Sequence, residues 1–244
     1  MLVAIVNHNC NANAIALRRS FLPLGPVKLI DSGSRFEPGE RQHFDELLPN
    51  VYYSGLLNRV YELAATLDDA EPLLITCSDV VIAEPARLVG LMRDAFSRNP
   101  KIQIWAPSAT GEGAHFRHMM PRGDKPRRVS FVDGYCFAVR KGMLSRVCPI
   151  DLRVNSLGWG IDRQLGYLAA ISRGSVVVDD RISIMHPNGE GYDRNEASRQ
   201  YRSWRSRMRY LARIFHGRCE QLAEGIGCTL LQCAIAALHR ISPS

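Results

Sequence analysis

Leu2-Val3-Ala4-Ile5-Val6 is an unbroken apolar run that stops on Asn7-His8-Asn9-Cys10-Asn11, and the reading of this junction decides the fold. The run is too short for a helix and apolar at every position. It predicts a strand covered on both faces, as in parallel sheets. The pattern recurs at residues 27–31, closing on Asp31-Ser32-Gly33-Ser34, at residues 73–76, closing on Cys77-Ser78-Asp79, and at residues 102–106. Between these runs lie stretches with helical spacing. One covers residues 12–22 and is closed by Pro23 and Gly25; another covers 58–67, with Val60, Leu63 and Ala64 on one face. A third covers 84–97, with Pro85 in its first turn, where a missing N–H costs nothing. Strand alternating with helix predicts an α/β fold.

The 244 residues suit one large domain or two small ones. Apolar residues at 46% and charged residues at 23% stand near the globular average and exclude wholesale disorder. Thirty-one Lys and Arg against 24 Asp and Glu leave a net charge of +7. That excess suits an anionic small molecule, a membrane surface or nucleic acid without choosing among them. Seven cysteines, none in a C-x-x-C pair, indicate neither a disulfide framework nor a zinc ribbon, so a reduced, intracellular compartment is expected. The apolar start lacks a basic leader and stops at Asn7, too short for a signal peptide. The longest late apolar stretch, residues 226–238, contains Gln232 and falls short of the roughly 18–20 residues that cross a bilayer. These features predict a cytoplasmic protein rather than an integral membrane one.

Residues 107–128 break the pattern, being rich in Gly, Pro, Arg and His with no apolar period. A loop of that length is functional or mobile. With His115, Arg117, His118, Arg122, Lys125, Arg127 and Arg128 it can close over an anionic ligand, or it can be a solvated surface loop. Phe116 is its one aromatic and no recognition motif is present, so nucleic acid is not expected as a partner. Order returns at residues 130–132 and 135–139. A helix is predicted over 161–172, stopped by Gly174, with strands over 175–179 and 182–186 and Asp179-Asp180 as a turn between them.

Beyond Tyr192 the composition changes, which divides the chain into a catalytic-domain candidate, residues 1–192, and a basic helical tail, residues 193–244. Eight arginines fall within residues 194–218. Tyr201, Trp204, Met208, Leu211 and Phe215 recur at steps of three and four, and Arg199, Arg202, Arg205, Arg209 and Arg213 follow the same rhythm half a turn away. One long amphipathic helix is predicted. Packing of its apolar stripe on the domain is the plainer reading. The other lays it on an anionic membrane surface at the inner face of a membrane, with Trp204 and Phe215 at the interface.

Polar residues stand at the C-terminal ends of the predicted strands: Asn7 and Asn9, Asp31, Asp79 and His186. Ligands of open α/β sheets bind beyond those ends. Taken singly, each has a local explanation, a turn or a helix cap. Taken in order, the segments resemble those of a family-2-type glycosyltransferase with the GT-A fold, over nearly all of residues 1–192. Val3-Ala4-Ile5-Val6-Asn7-His8-Asn9 resembles its opening strand, and Lys28-Leu29-Ile30-Asp31-Ser32-Gly33-Ser34 its second. Gly55-Leu56-Leu57-Asn58 resembles its small-residue helix, and Ile75-Thr76-Cys77-Ser78-Asp79 its Asp-x-Asp strand end. Val132-Asp133-Gly134-Tyr135-Cys136 resembles the strand before the acceptor site, Gly158-Trp159-Gly160-Ile161-Asp162 the catalytic segment, and residues 186–192 the late His with its glycine loop.

The resemblance implies a mixed, mostly parallel sheet flanked by helices, a nucleotide-diphosphate sugar as donor, and the hydroxyl of a saccharide or lipid-linked acceptor. It assigns Asn7, Asn9, Asp31, Asn58 and Ser78 to the nucleotide, and Asp79 and His186 to a divalent metal, Mn²⁺ or Mg²⁺. Such a metal stabilises charge on a departing diphosphate without proton transfer, and a carboxylate with a neutral imidazole suits it. Asp162 becomes the base of an inverting displacement, in a first helical turn that favours an ionised carboxylate. Asp133, Gly134, Trp159, Gly160 and Tyr192 fall to the sugars, with Trp159 as an aromatic plate between two glycines, or equally a packed core side chain.

Two positions depart from the pattern. Cys77 replaces the first carboxylate of the Asp-x-Asp pair, and Arg163-Gln164 stands where relatives continue with an acidic residue. Two alternatives accompany this reading. A sugar-1-phosphate nucleotidyltransferase opens with a Gly- and Arg-rich phosphate loop, and residues 7–13 contain neither. A catalytically silent carbohydrate-binding relative is compatible with the reduced Asp-x-Asp pair.

Overall fold

The computed structural model describes residues 1–114, 116–187 and 192–241. Strands β1 (Leu2–Asn7) and β2 (Val27–Ser32) lie parallel, joined by helix α1 (Asn11–Phe21), and Asn7 sits opposite Asp31. The short strand β3 (Glu46–Leu48) extends this edge beside β2, and helix α2 (Tyr52–Leu63) leads to β4 (Pro72–Cys77), which is parallel to β1 on its other side. Helix α3 (Pro85–Arg98) then leads to β5 (Ile102–Thr110). Next come β6 (Pro126–Val129), β7 (Cys136–Arg140) and the single turn α4 (Lys141–Leu144). Helix α5 (Ile161–Ile171) and the long strand β8 (Ser175–Met185) follow. The tail forms α6 (Arg194–Ser206), α7 (Tyr210–Arg218) and α8 (Gly225–Ile241).

Among the described residues these strands make one eight-stranded sheet in the order β3-β2-β1-β4-β7-β5-β8-β6. It is mixed and mostly parallel, as expected: β7 is antiparallel to both β4 and β5, and β6 is antiparallel to β8. The inverted β7 matters for function. Its N-terminal end meets the C-terminal ends of β1, β2, β4, β5 and β8, so the segment before it joins their loops at one edge. Ile5, Leu29, Ile30, Leu73, Leu74 and Ile75 are fully buried, which explains why β1, β2 and β4 read as continuous apolar runs.

Several sequence expectations need correction. Helix α2 begins at Tyr52 rather than residue 58, because Ser54, Gly55, Leu56 and Leu57 are buried against the core despite the helix-weakening glycine. The stretch 107–128 is not one loop. Its first residues complete β5, and its last form β6, an edge strand whose opening proline and exposed arginines hide the β pattern. Residues 175–179 and 182–186 belong to the single strand β8. A register shift between Pro107 and Ser108 lets it continue through Asp179-Asp180. Those two carboxylates are structural rather than a turn: Trp105 Nε1 donates to Asp179 at 3.1 Å, Arg181 pairs with Asp179 at 2.7 Å, and Arg127 pairs with Asp180 at 2.7 Å.

The tail is not one helix either. Arg207 N and Met208 N each donate three residues back, to Trp204 O and Arg205 O, and this tightening ends α6 before α7 starts. Trp204, Met208 and Leu211 pack on the core and Phe215 is fully buried, so the apolar stripe of α6 and α7 packs inward. Burying one such side chain yields about 1.5–3 kcal/mol. His216, also buried, accepts from Tyr201 Oη at 3.1 Å and donates to Gln164 Oε1 at 3.2 Å, tying the tail to α5. Desolvation, with Arg163 and Arg205 nearby, lowers its pKa to about 3. No helix among the described residues is long and apolar enough to cross a membrane, and the seven cysteines are free.

Candidate active site

A backbone bridge assembles the site. Val81, just past β4, exchanges hydrogen bonds with Met185 at the end of β8: Val81 N donates at 2.7 Å and Met185 N at 3.0 Å. Asp79 and His186 are thereby brought face to face, with Asp79 Oδ2 3.1 Å from His186 Nε2. The imidazole is oriented from behind. Its Nδ1 donates to Gly113 O at 2.9 Å, and Gly113 N donates to His186 O at 3.0 Å. Gly111 passes so close, with φ of +97°, that a Cβ there would overlap the His186 carbonyl.

With Nδ1–H engaged, the Nε2 lone pair of the neutral ring is aimed at Asp79 and available to a metal. Asp79 Oδ1 is buried and has no hydrogen-bond partner among the described residues. This is a two-ligand set. Among the described residues no cluster of three or more His, Cys, Asp or Glu exists, so phosphate oxygens and water must complete the shell. The residues present fit Mn²⁺ or Mg²⁺ on those terms. Burial favours the neutral imidazole, but the Asp79 bond and charge and the Gly113 carbonyl outweigh it and raise the His186 pKa. A metal bound there would compete with a proton for Nε2. Cys77, in the position of the missing carboxylate, has its thiol pKa raised well above the usual value by burial, reinforced by Asp79, and stays neutral.

Asp79 and His186 line a cavity of about 710 Å³ together with Asp133, Gly134, Trp159, Gly160, Asp162 and Tyr192. Asp162 sits in the first turn of α5, its Oδ1 accepting from Arg163 N at 2.8 Å. Burial raises its pKa against the opposing pull of the Arg163 charge and backbone N–H groups. The loop before α5 makes its approach through two left-handed glycines. A Cβ on Gly158 would fall 2.6 Å from the Tyr53 ring, and one on Gly160 would overlap Tyr201. Trp159 Nε1 donates to Tyr192 Oη at 2.5 Å, and their rings meet edge to face.

Side chains that the sequence did not single out hold this arrangement. Buried Asn155 accepts from Gly158 N and donates to Trp159 O, both at 3.0 Å. Tyr53 Oη donates to Gly134 O at 2.5 Å. Tyr135 packs its ring on His186 with centroids 4.5 Å apart. Its buried hydroxyl has no partner among the described residues. No local pattern marks Asn155 or Tyr135; the glycine-flanked Trp159 is the nearest signal. Arg163 is enclosed by the rings of Phe116, Phe131 and Tyr201 at 5.5–5.8 Å and pairs with Glu220 of the tail.

The residues assigned to the nucleotide lie outside this cavity. Asn7, Asn9 and Asp31 form a closed network at the ends of β1 and β2. Asn7 Nδ2 donates to Asp31 Oδ1 at 2.7 Å, Ser34 N donates to Asp31 Oδ2 at 2.8 Å, and Asn9 N donates to Ser34 Oγ at 2.6 Å. Ser78 is buried beside them, its N donating to Val6 O at 2.9 Å and its carbonyl accepting from Asn13 Nδ2. Asn58 stands apart, exchanging two hydrogen bonds with the backbone of Ile150 at 3.0 and 2.7 Å. The basic loop is fastened rather than free. Arg127 reaches Asp180 and Glu224, Arg122 pairs with Glu224, and His118 is buried against Phe131 O, its pKa lowered by desolvation to about 4. His115 and part of the glycine loop, residues 188–191, lie outside the described residues.

No protein-family model matches the sequence, and no curated protein matches it. Among solved structures, the chain is similar to GalNAc-T7 crystallised with UDP, GalNAc and Mn²⁺. The TM-score is 0.53 at 14% identity over 79% of this chain and 44% of that one. The chain thus spans less than half the length of that protein. It also matches a mannose-1-phosphate geranyltransferase from Thermus thermophilus at TM-score 0.43 and 11% identity, over 75% of this chain and 74% of that one. The architecture is a GT-A-like α/β fold.

The raised pKa of Asp162 has a stability consequence. Above it the folded state bears the cost of a desolvated charge that the unfolded chain does not bear. Asp162→Asn, which keeps the Oδ1 acceptor, is expected to melt higher than wild type at pH 7. The gap should close as pH falls through the raised pKa into the ordinary carboxylate range. Melting curves from pH 4 to 8 check this; a lower melting temperature across the whole range contradicts it.

Proposed function

We propose that the protein transfers a sugar from a nucleotide-diphosphate donor to the hydroxyl of a saccharide or lipid-linked acceptor, with inversion at the anomeric carbon, in the manner of family-2-type glycosyltransferases. The meeting of Asp79 with His186 in the cavity that also holds Asp162 carries this reading. Asp79 Oδ1 and His186 Nε2 hold the divalent metal. Bound there with the donor, Mn²⁺ or Mg²⁺ neutralises charge on the diphosphate. Gly113 and the Tyr135 ring keep the imidazole in its ligating orientation.

Asp162 accepts the acceptor's hydroxyl proton. The oxygen then attacks the anomeric carbon while the diphosphate leaves from the opposite face, carrying the electron pair of the broken bond. A carboxylate with a raised pKa is a stronger base for this step than an ordinary surface aspartate. Trp159, pinned by Tyr192 and Asn155, offers its ring to the apolar face of a sugar, with Asp133 and Gly134 on the facing wall. The Asn7, Asn9, Asp31 and Ser78 network beside β4 is the candidate platform for the nucleotide. Asn58 serves it only indirectly, through the position of α2. Residues 1–192 carry the chemistry, Arg194, Ser198 and Tyr201 of the tail line one side of the cavity, and the free cysteines suit a cytoplasmic setting.

A panel of nucleoside diphosphates, screened by thermal shift with and without Mn²⁺, tests this directly, since a ligand of the folded state raises its apparent stability. One nucleotide should respond, and its Mn²⁺-dependent shift should vanish in Asp79→Ala and in His186→Ala, with little further loss in the double variant. Asp162→Asn should retain that shift while turnover falls roughly 10²-fold or more. Shifts indifferent to EDTA, additive losses, or near-wild-type turnover in Asp162→Asn would overturn the assignments.

A further inference from the structure

Helix α8 has an apolar face that no described residue covers. It turns Cys228, Leu231, Gln232, Ile235 and Ala236 inward, against its neighbours α5, α7 and β6. On the opposite side Ile226, Leu230 and Leu238 are 80%, 64% and 45% exposed, and the small residues Cys233, Ala234 and Ala237 lie between them. No charged residue occurs from Gly225 to Leu238, four turns of helix. Soluble proteins scatter their exposed apolar side chains; a continuous stripe marks a surface that something covers.

Two of the elements packed beside α8, α7 and β6, carry exposed cations. Helix α7 presents exposed Arg213 and Arg218, and β6 presents exposed Arg128, which lies close enough to α8 to lower the Cys228 thiol pKa against upward pushes from burial and from Glu224, a carboxylate itself paired with Arg122 and Arg127. Arg240 closes the helix itself. Arg128 donates to Gly174 O, Arg218 to Gln221 Oε1 and Arg240 to Ala236 O, and no carboxylate among the described residues pairs with them.

We propose that the outer face of α8 docks on an anionic membrane surface, with the stripe at the acyl boundary and the flanking arginines on lipid phosphates. An uncharged helical stripe bordered by cations is the composition of an interfacial helix. Charge decides against a second copy as occupant, because two such faces would oppose their arginines, whereas an anionic leaflet meets them with the opposite sign. The surface differs from the one the sequence suggested. The aromatic stripe of α6 and α7 is consumed by packing, and α8, read there only as too short to span, supplies the exposed stripe. The proposal stands independently of the transfer reaction.

Co-sedimentation of the full chain with vesicles of phosphatidylglycerol and phosphatidylcholine, and of phosphatidylcholine alone, tests it at 0.1 and 0.5 M salt. Binding is expected to the anionic vesicles at 0.1 M. It should be at least tenfold weaker at 0.5 M, in Ile226→Glu/Leu230→Glu, and in Arg213→Gln/Arg218→Gln. Arg199→Gln/Arg202→Gln on α6 should bind as wild type. These side chains are exposed, so the melting temperatures of the variants should match wild type. Three results would overturn the proposal: no binding to anionic vesicles at 0.1 M, binding indifferent to both α8-face pairs, or self-association of the wild type that Leu230→Glu abolishes.

Discussion

The contact between Asp79 and His186 is the constraint on which the site depends, and it is a consequence of sheet order. These residues are 107 positions apart. Strands β7 and β5 lie between β4 and β8 in the sheet, and the two residues meet because the Val81–Met185 bridge carries the chain after β4 across to the end of β8. Once that bridge forms, Asp79 has one oxygen on the imidazole and one buried without a partner among the described residues. An unpartnered buried oxygen costs on the order of 1–3 kcal/mol. Tyr135, packed on the same imidazole, carries a second such oxygen. Both of these oxygens belong to side chains that touch the same imidazole at the cavity. Asp162 adds a third cost, a partly buried carboxylate in the first turn of α5 whose pKa burial raises.

Much of this was legible in the sequence, for a physical reason. A strand buried on both faces must be apolar throughout, and a parallel sheet gathers its ligands at the strand ends, so β1, β2 and β4 with Asn7, Asp31 and Asp79 could be read from runs and their stops. Edge elements were not legible. β3 is three residues long, and β6 begins with Pro126 and continues with Arg127 and Arg128, the first of which pairs with Asp180 and Glu224, far away in sequence. β8 reads as two strands because two carboxylates sit in its middle; only the pairing with Trp105, Arg181 and Arg127 makes them acceptable there.

The site shows the same division. Asp79, His186, Asp162 and Trp159 have signatures of position, at strand ends or at a glycine-flanked helix start. Asn155 and Tyr135 have none, since a backbone-bonding amide and an unpartnered hydroxyl are defined only by three-dimensional surroundings. Asn58 illustrates the converse error of scale. Its residue type suited a ligand, while both of its amide atoms are used by Ile150. In the tail, the period of Tyr201, Trp204, Met208, Leu211 and Phe215 correctly marked one apolar face, but periodicity does not say whether protein or lipid covers it. Packing answers that for α6 and α7 and leaves the question with α8.

The central claim is that Asp79 and His186 together hold the metal of a nucleotide-diphosphate donor. Anomalous diffraction from crystals grown with Mn²⁺ and the nucleotide that raises the melting temperature most is the direct measurement. A single manganese peak within bonding distance of Asp79 and His186, with diphosphate oxygens on its remaining positions, is the result expected. Nucleotide bound elsewhere on the chain, or bound here with no manganese peak between these two side chains, would contradict it.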